Sequence, residues 1–378
     1  MAETKFTEWT LDGLLRHPVY LGLRDDKNAE EIRLPDRRSR REPPPRTAPT
    51  PEHPEPKTAQ LLESLEQLEH TTRRGTLVLS DGTSVPVGNL HKVFWPESGI
   101  TKGELLRFYL RMAPYILPVV EDRPLVMKRF PNGVDGKSFY QHRAPDPLLD
   151  GLRVTEILES PEKADSGVPY LVGGRLQTLL YMAQLAVISQ DPWFSRLPDI
   201  TDANQVALDL DPMPGATFRQ TLDVACWIHD ELEKLGTPSF PKTSGSEGVH
   251  IFIPLPPGTP YEAGMIFCQI LATVVATAHP EVATVERMVK KRRPGTIYID
   301  YLQNIYGKTL ACAYSARASE FAGVSTPLTW SEIHGGVKSG LAPQDFTIRS
   351  IFSRLDRVGD LWLGLRSVEP ADLEAILG

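Results

Sequence analysis

The stretch Val206-Ala-Leu-Asp-Leu-Asp-Pro212 constrains the fold of this chain more than any other. It alternates with a period of two, as a β-strand does. Val206, Leu208 and Leu210 then face a core, while Ala207, Asp209 and Asp211 share the opposite face. Two adjacent carboxylates repel each other unless positive charge lies between them. A bound divalent cation is the usual remedy, and an oxygen-rich site suits Mg²⁺ or Mn²⁺.

A second motif, Lys242-Thr-Ser-Gly-Ser-Glu-Gly-Val-His250, reads as a Ser/Gly turn running into the strand Val249 to Leu255. By itself it reads first as a hairpin loop with a histidine at the core edge. Read functionally, Gly245 and Gly248 let backbone N–H groups approach an anion, Ser244 and Ser246 add hydroxyls, and His250 stands beside them. In a third motif, Thr296-Ile-Tyr-Ile-Asp300-Tyr-Leu-Gln-Asn304, Asp300 interrupts an apolar strand. A charge there is costly unless paired or bound to metal, and alone it reads best as a salt-bridged structural aspartate. Beyond it lie Gln303, Lys308 and Arg317, of which the two cations could neutralise phosphates. Three carboxylates and an anion turn in this order are what two-metal nucleotidyl transfer requires.

The 378 residues allow two domains, or one large domain with extensions. A net charge of −7 argues only weakly against a nucleic-acid partner, because binding needs a local basic surface. Arg37 to Arg41, Lys128-Arg129 and Lys290 to Arg293 are such basic clusters. Cys226, Cys268 and Cys312 are isolated, no apolar run approaches a membrane span, and the first residues lack a signal-peptide profile. A cytoplasmic, nucleoid-associated protein is expected.

Residues 31–74 are rich in Pro and charge, which suits an extended linker, with a short helix over Thr58 to His70. The globular body spans 75–370. Capping boxes at Thr101-Lys-Gly-Glu104 and Thr217-Phe-Arg-Gln220 predict helices ending near Tyr115 and Gly236, and a third helix covers Tyr261 to Ala278. Strands are expected at 124–130, 206–211, 249–255, 297–302 and 309–314. Mixed short strands and helices indicate an α+β or α/β domain.

Asp-Leu-Asp, Ser-Gly-Ser-Glu-Gly-Val-His and Tyr-Ile-Asp-Tyr-Leu-Gln-Asn together resemble the three motifs of the archaeo-eukaryotic primase superfamily. More narrowly, residues 75–365 resemble the polymerase domain of bacterial DNA ligase D, an end-joining repair enzyme. Asn89 to Lys102, Lys128 to Gly136 and Ala313 to Arg317 extend the likeness.

The resemblance implies an α+β fold with a mixed or antiparallel primase-like sheet and flanking helices. It implies that Asp209, Asp211 and Asp300 are catalytic and hold the metals, two Mn²⁺ or Mg²⁺ ions. Ser244, Gly245, His250, Gln303, Lys308 and Arg317 would meet the incoming NTP or dNTP. Lys92 and Lys102 would grip a 5′-phosphate on DNA with gaps or overhangs; without the family they read equally as surface lysines. Arg129, Phe139, Tyr140 and Arg293 would contact template or primer, although alone the aromatics read as core packing and Arg293 as part of a solvated turn. A Ku-like end-binding protein and a ligase domain are the implied partners, with no membrane.

Two positions depart from the family. Glu247 stands where members often carry Lys, and Asp191 where many carry His. Residues 1–30 resemble the closing segment of an ATP-dependent ligase domain, which suggests a larger protein whose ligase precedes its polymerase. Two other functions fit parts of the pattern: a metal-dependent glycosyltransferase, through Asp-x-Asp, and a catalytically weakened 5′-phosphate end-binding module.

Overall fold

The structure, a computed structural model, describes residues 2–5, 8–9, 15–16, 19–23, 55–72, 74–158 and 167–371, with 373 and 376. Met1–Glu52 and His53–Gly378 form two compact units. In the first, strands β1 (Ala2–Lys5), β2 (Glu8–Trp9), β3 (Leu15–Arg16) and β4 (Val19–Leu23) pair antiparallel as β1–β4 and β2–β3. Residues 31–54 of the expected linker lie outside the described residues.

The second unit opens with α1 (Glu55–His70), which covers the expected short helix and sends Leu61 and Leu65 into the core. A hairpin of β5 (Arg74–Val78) and β6 (Ser84–Gly88) follows, then the short pair β7 (Val93–Trp95) and β8 (Ile100–Thr101). Helix α2 (Lys102–Val120) starts at the expected capping box, where Thr101 and Glu104 each satisfy the other's backbone N–H. It continues past Tyr115 through Pro114 and Pro118. Pro114 lies on the exposed side, where a lost backbone hydrogen bond costs least.

A first antiparallel sheet contains β9 (Pro124–Arg129), β10 (Phe139–Gln141), β11 (Val154–Ile157) and β12 (Val168–Val172) in the order β10–β9–β12–β11. After α3 (Leu176–Gln184), the short β13 (Asp191–Pro192) also pairs with β9. The second sheet is built from β14 (Gln205–Pro212), then, after α4 (Phe218–Lys234), β15 (Phe240–Thr243) and β16 (Val249–Pro254). Helix α5 (Tyr261–Ala278), β17 (Ala283–Thr284) and β18 (Ile297–Asp300) complete it. Its order is β15–β16–β14–β18–β17, antiparallel except for β17–β18, so the sheet is mixed and the domain is α+β.

The alternation in β14 decides which way this sheet faces. Val206, Leu208 and Leu210 have no exposed surface, and α4 and α5 lie against the sheet. Gly264 of α5 sits so close to Val206 that a Cβ there would come 2.6 Å from the valine Cγ1. Helix α5 reaches the length and apolarity of a membrane span, contrary to the expectation that no apolar run does; one face packs into the core through Phe267, Cys268 and Leu271 while Ile266, Ile270 and Val274 are exposed. The chain closes with α6 (Trp330–Ser339), α7 (Ile351–Val358) and α8 (Leu363–Ser367).

Two expected strands need correction. Residues 309–314 form no strand. Thr309 bridges to Trp193, Cys312 N donates to Gln190 O, Tyr314 N donates to Ser325 O, and Tyr314 takes φ +66°. Its backbone groups thus find unrelated partners instead of one ladder. The strand expected over 297–302 stops at Asp300, whose Oδ1 accepts from Leu302 N at 2.8 Å and turns the chain into a 3₁₀ turn, Leu302–Asn304.

Candidate active site

The polar face of the mixed sheet carries a row of four residues on four adjacent strands. Lys242 is opposite His250, His250 opposite Asp209, and Asp209 opposite Asp300. Asp211 lies two residues along the same face, opposite Tyr298. The three carboxylates therefore sit at one corner of the sheet, Asp300 across the ladder from Asp209 and Asp211 two residues along it.

The row is tightly connected. Lys242 Nζ lies 2.7 Å from His250 Nδ1 and donates to Ala311 O at 2.9 Å and to Ser325 Oγ. With Nδ1 accepting, the imidazole proton belongs on Nε2, which sits 3.1 Å from Asp209 Oδ1. That approach is ion-pair distance without hydrogen-bond alignment, so the buried Oδ1 has no hydrogen-bond partner. Asp300 is better satisfied, accepting from Gln303 Nε2 at 3.0 Å and from Tyr298 Oη at 3.4 Å as well as from Leu302 N.

Charge in this cleft is strained. Burial pushes the Asp209 carboxyl up, against the pull of Arg317 and Lys242. Burial, then the charges of Asp209 and Asp300, push Asp211 up too. Asp211 is itself exposed to solvent, so screening tempers that repulsion. Burial also raises Asp300. Burial, with Lys242 and Arg317 nearby, holds His250 well below its usual value, and burial with Arg317 brings the Lys242 ammonium down to about 7. An orphaned buried carboxylate oxygen among three raised carboxylates is a site short of positive charge. Its all-oxygen acidic donors fit a hard divalent cation.

The Ser/Gly turn folds onto this row. Ser244 Oγ accepts from Ser246 N at 3.1 Å and from Gly248 N at 3.0 Å, closing the loop on itself. Gly245 has φ +78°, and a Cβ on it would meet Arg317 Cγ at 2.5 Å and Ser325 N at 2.9 Å. Arg317 therefore packs on the turn, and among the described residues its guanidinium makes no ion pair. Its charge nevertheless reaches Asp209, Asp211 and Asp191. Glu247 points into solvent at the turn's rim, and Lys308 is exposed on the loop after the 3₁₀ turn. Asp191 is buried and accepts from Ser189 Oγ at 2.7 Å; burial raises its pKa while Arg317, Lys128 and Lys242 lower it.

The remaining candidates lie on other elements. Lys102 is buried at the start of α2, where its Nζ donates to Gly88 O at 3.0 Å, and Lys92 Nζ donates to Pro131 O. Burial, then the charges of Lys92 and Arg129, bring Lys102 down to about 8. Phe139 and Tyr140 are 45% and 62% exposed, not core residues. Each has a cation from β9 near its ring, Arg129 over Phe139 at 5.4 Å and Lys128 over Tyr140 at 5.4 Å. Arg293 is exposed and paired with Glu281 at 2.9 Å. Its neighbour Arg292 instead stacks on Tyr298, 3.4 Å from the ring centre, and lowers the Asp211 pKa.

Lys242, Arg292 and Tyr298 were absent from the sequence-based candidates. Lys242 lies in Phe240-Pro-Lys-Thr243, which is not an apolar run, and only the pairing of β15 with β16 brings it into the row. Arg292 carried no signal that separates it from Lys290, Lys291 and Arg293.

The family described as LigD, primase-polymerase domain, matches residues 101–362. The bifunctional non-homologous end joining protein LigD of Bacillus subtilis (strain 168) is 31% identical over 292 residues, 76% of this chain and 45% of that protein. The multifunctional non-homologous end joining protein LigD of Pseudomonas aeruginosa is 27% identical over 371 residues, 96% of this chain and 39% of that protein. The chain thus spans less than half the length of these curated relatives. Among solved structures, the polymerase domain from Mycobacterium tuberculosis ligase D in complex with DNA superposes with a TM-score of 0.68 at 27% identity, covering 76% of this chain and 99% of that one.

Proposed function

The chain belongs to the LigD primase-polymerase domain family, and from that premise we propose that it extends primer 3′-ends at DNA breaks and gaps by template-directed nucleotidyl transfer in end-joining repair. The observation that carries this reading is the cross-strand row Lys242–His250–Asp209–Asp300, with Asp211 beside it. In the reaction the primer 3′-oxygen bonds to the α-phosphorus of an NTP or dNTP and the bond to the β-phosphate oxygen breaks, releasing pyrophosphate. Mn²⁺ or Mg²⁺ ions held by Asp209, Asp211 and Asp300 would supply the charge that lowers the pKa of the 3′-hydroxyl and steadies the departing pyrophosphate.

The chain's own residues do the positioning. Lys242 fixes the His250 ring, whose Nε2 lies against Asp209 Oδ1. The turn at Ser244 and Gly245 presents backbone and hydroxyl donors to the triphosphate, with the Arg317 guanidinium and Lys308 as counter-charges. Gln303 orients Asp300. Lys92 and Lys102 receive the 5′-phosphate across the break. Phe139 and Tyr140 offer ring faces to template bases, backed by Lys128 and Arg129. Support for a DNA partner comes from the DNA-bound polymerase domain that this chain resembles.

Manganese and ribonucleotides are the expected preferences, as are a nucleoid location and a Ku-like protein and a ligase as partners. Residues 1–30 are proposed as the end of such a ligase domain and the Pro-rich stretch from 31 up to α1 as its linker, because α1 packs Leu61 and Leu65 into the globular unit. The family match favours nucleotidyl over sugar transfer, and Glu247, turned to solvent, gives the end-binding-only reading little footing.

A gapped duplex tests this, presented with and without a downstream 5′-phosphate and with NTPs against dNTPs in Mn²⁺. Faster, templated addition on the phosphorylated gap is expected. Tight phosphate-dependent binding with no addition would leave only an end-binding module.

A further inference from the structure

On the helical side of the mixed sheet, α4 and α6 bring together two histidines and two carboxylates that the polymerase chemistry does not use. His229 Nδ1 and His334 Nε2 face each other at 3.3 Å. Asp230 joins them: one ligand atom from each of His229, Asp230 and His334 lies within 4.8 Å of the other two. A tetrahedral ion with ligands at about 2.0–2.1 Å places any two of them about 3.3–3.4 Å apart, the spacing of the two nitrogens.

The surroundings fix the ring in the form a metal needs. Glu233 Oε1 lies 3.4 Å from His229 Nε2, the nitrogen turned away from His334. This is an ion-pair distance without a hydrogen bond, and the negative charge there favours the tautomer protonated at Nε2, which leaves Nδ1 toward His334. Trp330 stacks on the His229 ring at 3.9 Å and 19°, and Trp330 Nε1 is anchored to Ser239 O at 2.9 Å. The Thr329–Glu332 capping box and the Arg354–Glu332 pair hold the start of α6, and so set its register against α4.

We propose that His229, Asp230 and His334 form a zinc site that clamps α6 to α4, with a fourth position open to water. Imidazole ligands select Zn²⁺ over the hard cations suited to the Asp209–Asp300 row.

Tag-free protein stripped with chelator and titrated with Co²⁺ provides the test, because tetrahedral Co²⁺ absorbs strongly in the visible. One equivalent with that absorption is expected, displaced by Zn²⁺. It should persist in Asp211→Ala and be lost in His334→Ala and in Asp230→Ala, both changes at exposed positions. Glu233→Ala should weaken it by about 10–100-fold. Zn²⁺ should raise the melting temperature of wild type but not of His334→Ala. The same Co²⁺ uptake and spectrum in wild type and His334→Ala would overturn the proposal, as would wild type with no tetrahedral absorption in excess Co²⁺.

Discussion

Asp209 and Asp300 stand directly opposite each other on adjacent antiparallel strands, in a sheet whose other face is closed by helices. Like charges so placed destabilise a sheet, so the pair marks a position held for its chemistry.

Removing the charge of Asp211, which both carboxylates of the pair repel, should not harm the metal-free fold. Asp211→Asn is expected to melt at or above wild type in chelator, since it relieves repulsion from Asp209 and Asp300. Mn²⁺ should raise the wild-type melting temperature by at least about 2 °C and the variant's by less. Equal Mn²⁺ shifts in both proteins would place the ions elsewhere.

Binding to a 5′-phosphate should depend on pH through Lys102. Burial and neighbouring cations depress its pKa to about 8, so it loses its proton as pH rises through that value. A bound phosphate favours the charged form, so affinity falls above about pH 8. It also falls below about pH 6, where the phosphate dianion takes up a proton and becomes a monoanion. Fluorescence anisotropy on gapped duplex with and without the phosphate should show this window. Lys102→Ala should weaken phosphate-dependent binding at least about 10-fold and flatten the alkaline limb, roughly the loss of one charge-assisted hydrogen bond.

Gly245→Ala meets two obstacles, a φ of +78° and a Cβ 2.5 Å from Arg317 Cγ. A cost of about 1–3 kcal/mol is expected, spent on displacing the turn from Arg317. Steady-state kinetics should show KM for the nucleotide rising more than kcat falls. Unchanged KM would mean that the turn does not hold triphosphate.

Lys242→Met replaces a buried amine with an apolar chain of similar length. It leaves Ala311 O and His250 Nδ1 without their donor, at about 1–3 kcal/mol for each group. Denaturant unfolding should show a loss of about 2–4 kcal/mol, with slower extension because His250 is no longer fixed. A variant as stable and as active as wild type would show that the lysine is incidental.

The sequence disclosed the parts of the site that obey local rules. Alternation in 206–212 oriented β14, capping boxes placed the starts of α2 and α4, and charges inside apolar strands exposed Asp209 and Asp300. What it could not show depends on register between distant strands. Lys242 joins the row only because β15 pairs with β16, and Arg292 differs from its basic neighbours only by stacking on Tyr298. Phe139 and Tyr140 look like core by composition, and only the folded sheet leaves their rings exposed. The expected strand at 309–314 failed for a related reason, since apolar composition fits extended chain whether or not a ladder partner exists.

Nucleotide addition by this chain is proposed to depend on Asp209, with Asp211 and Asp300 beside it. Primer extension on a 5′-phosphorylated gapped duplex with Mn²⁺ and NTPs, comparing wild type with Asp209→Ala at equal DNA occupancy, tests it most directly. Wild type should lengthen the primer while the variant adds at least about 10³-fold more slowly (about 4 kcal/mol in the barrier). Equal rates in the two proteins, or no addition by wild type, would contradict the account.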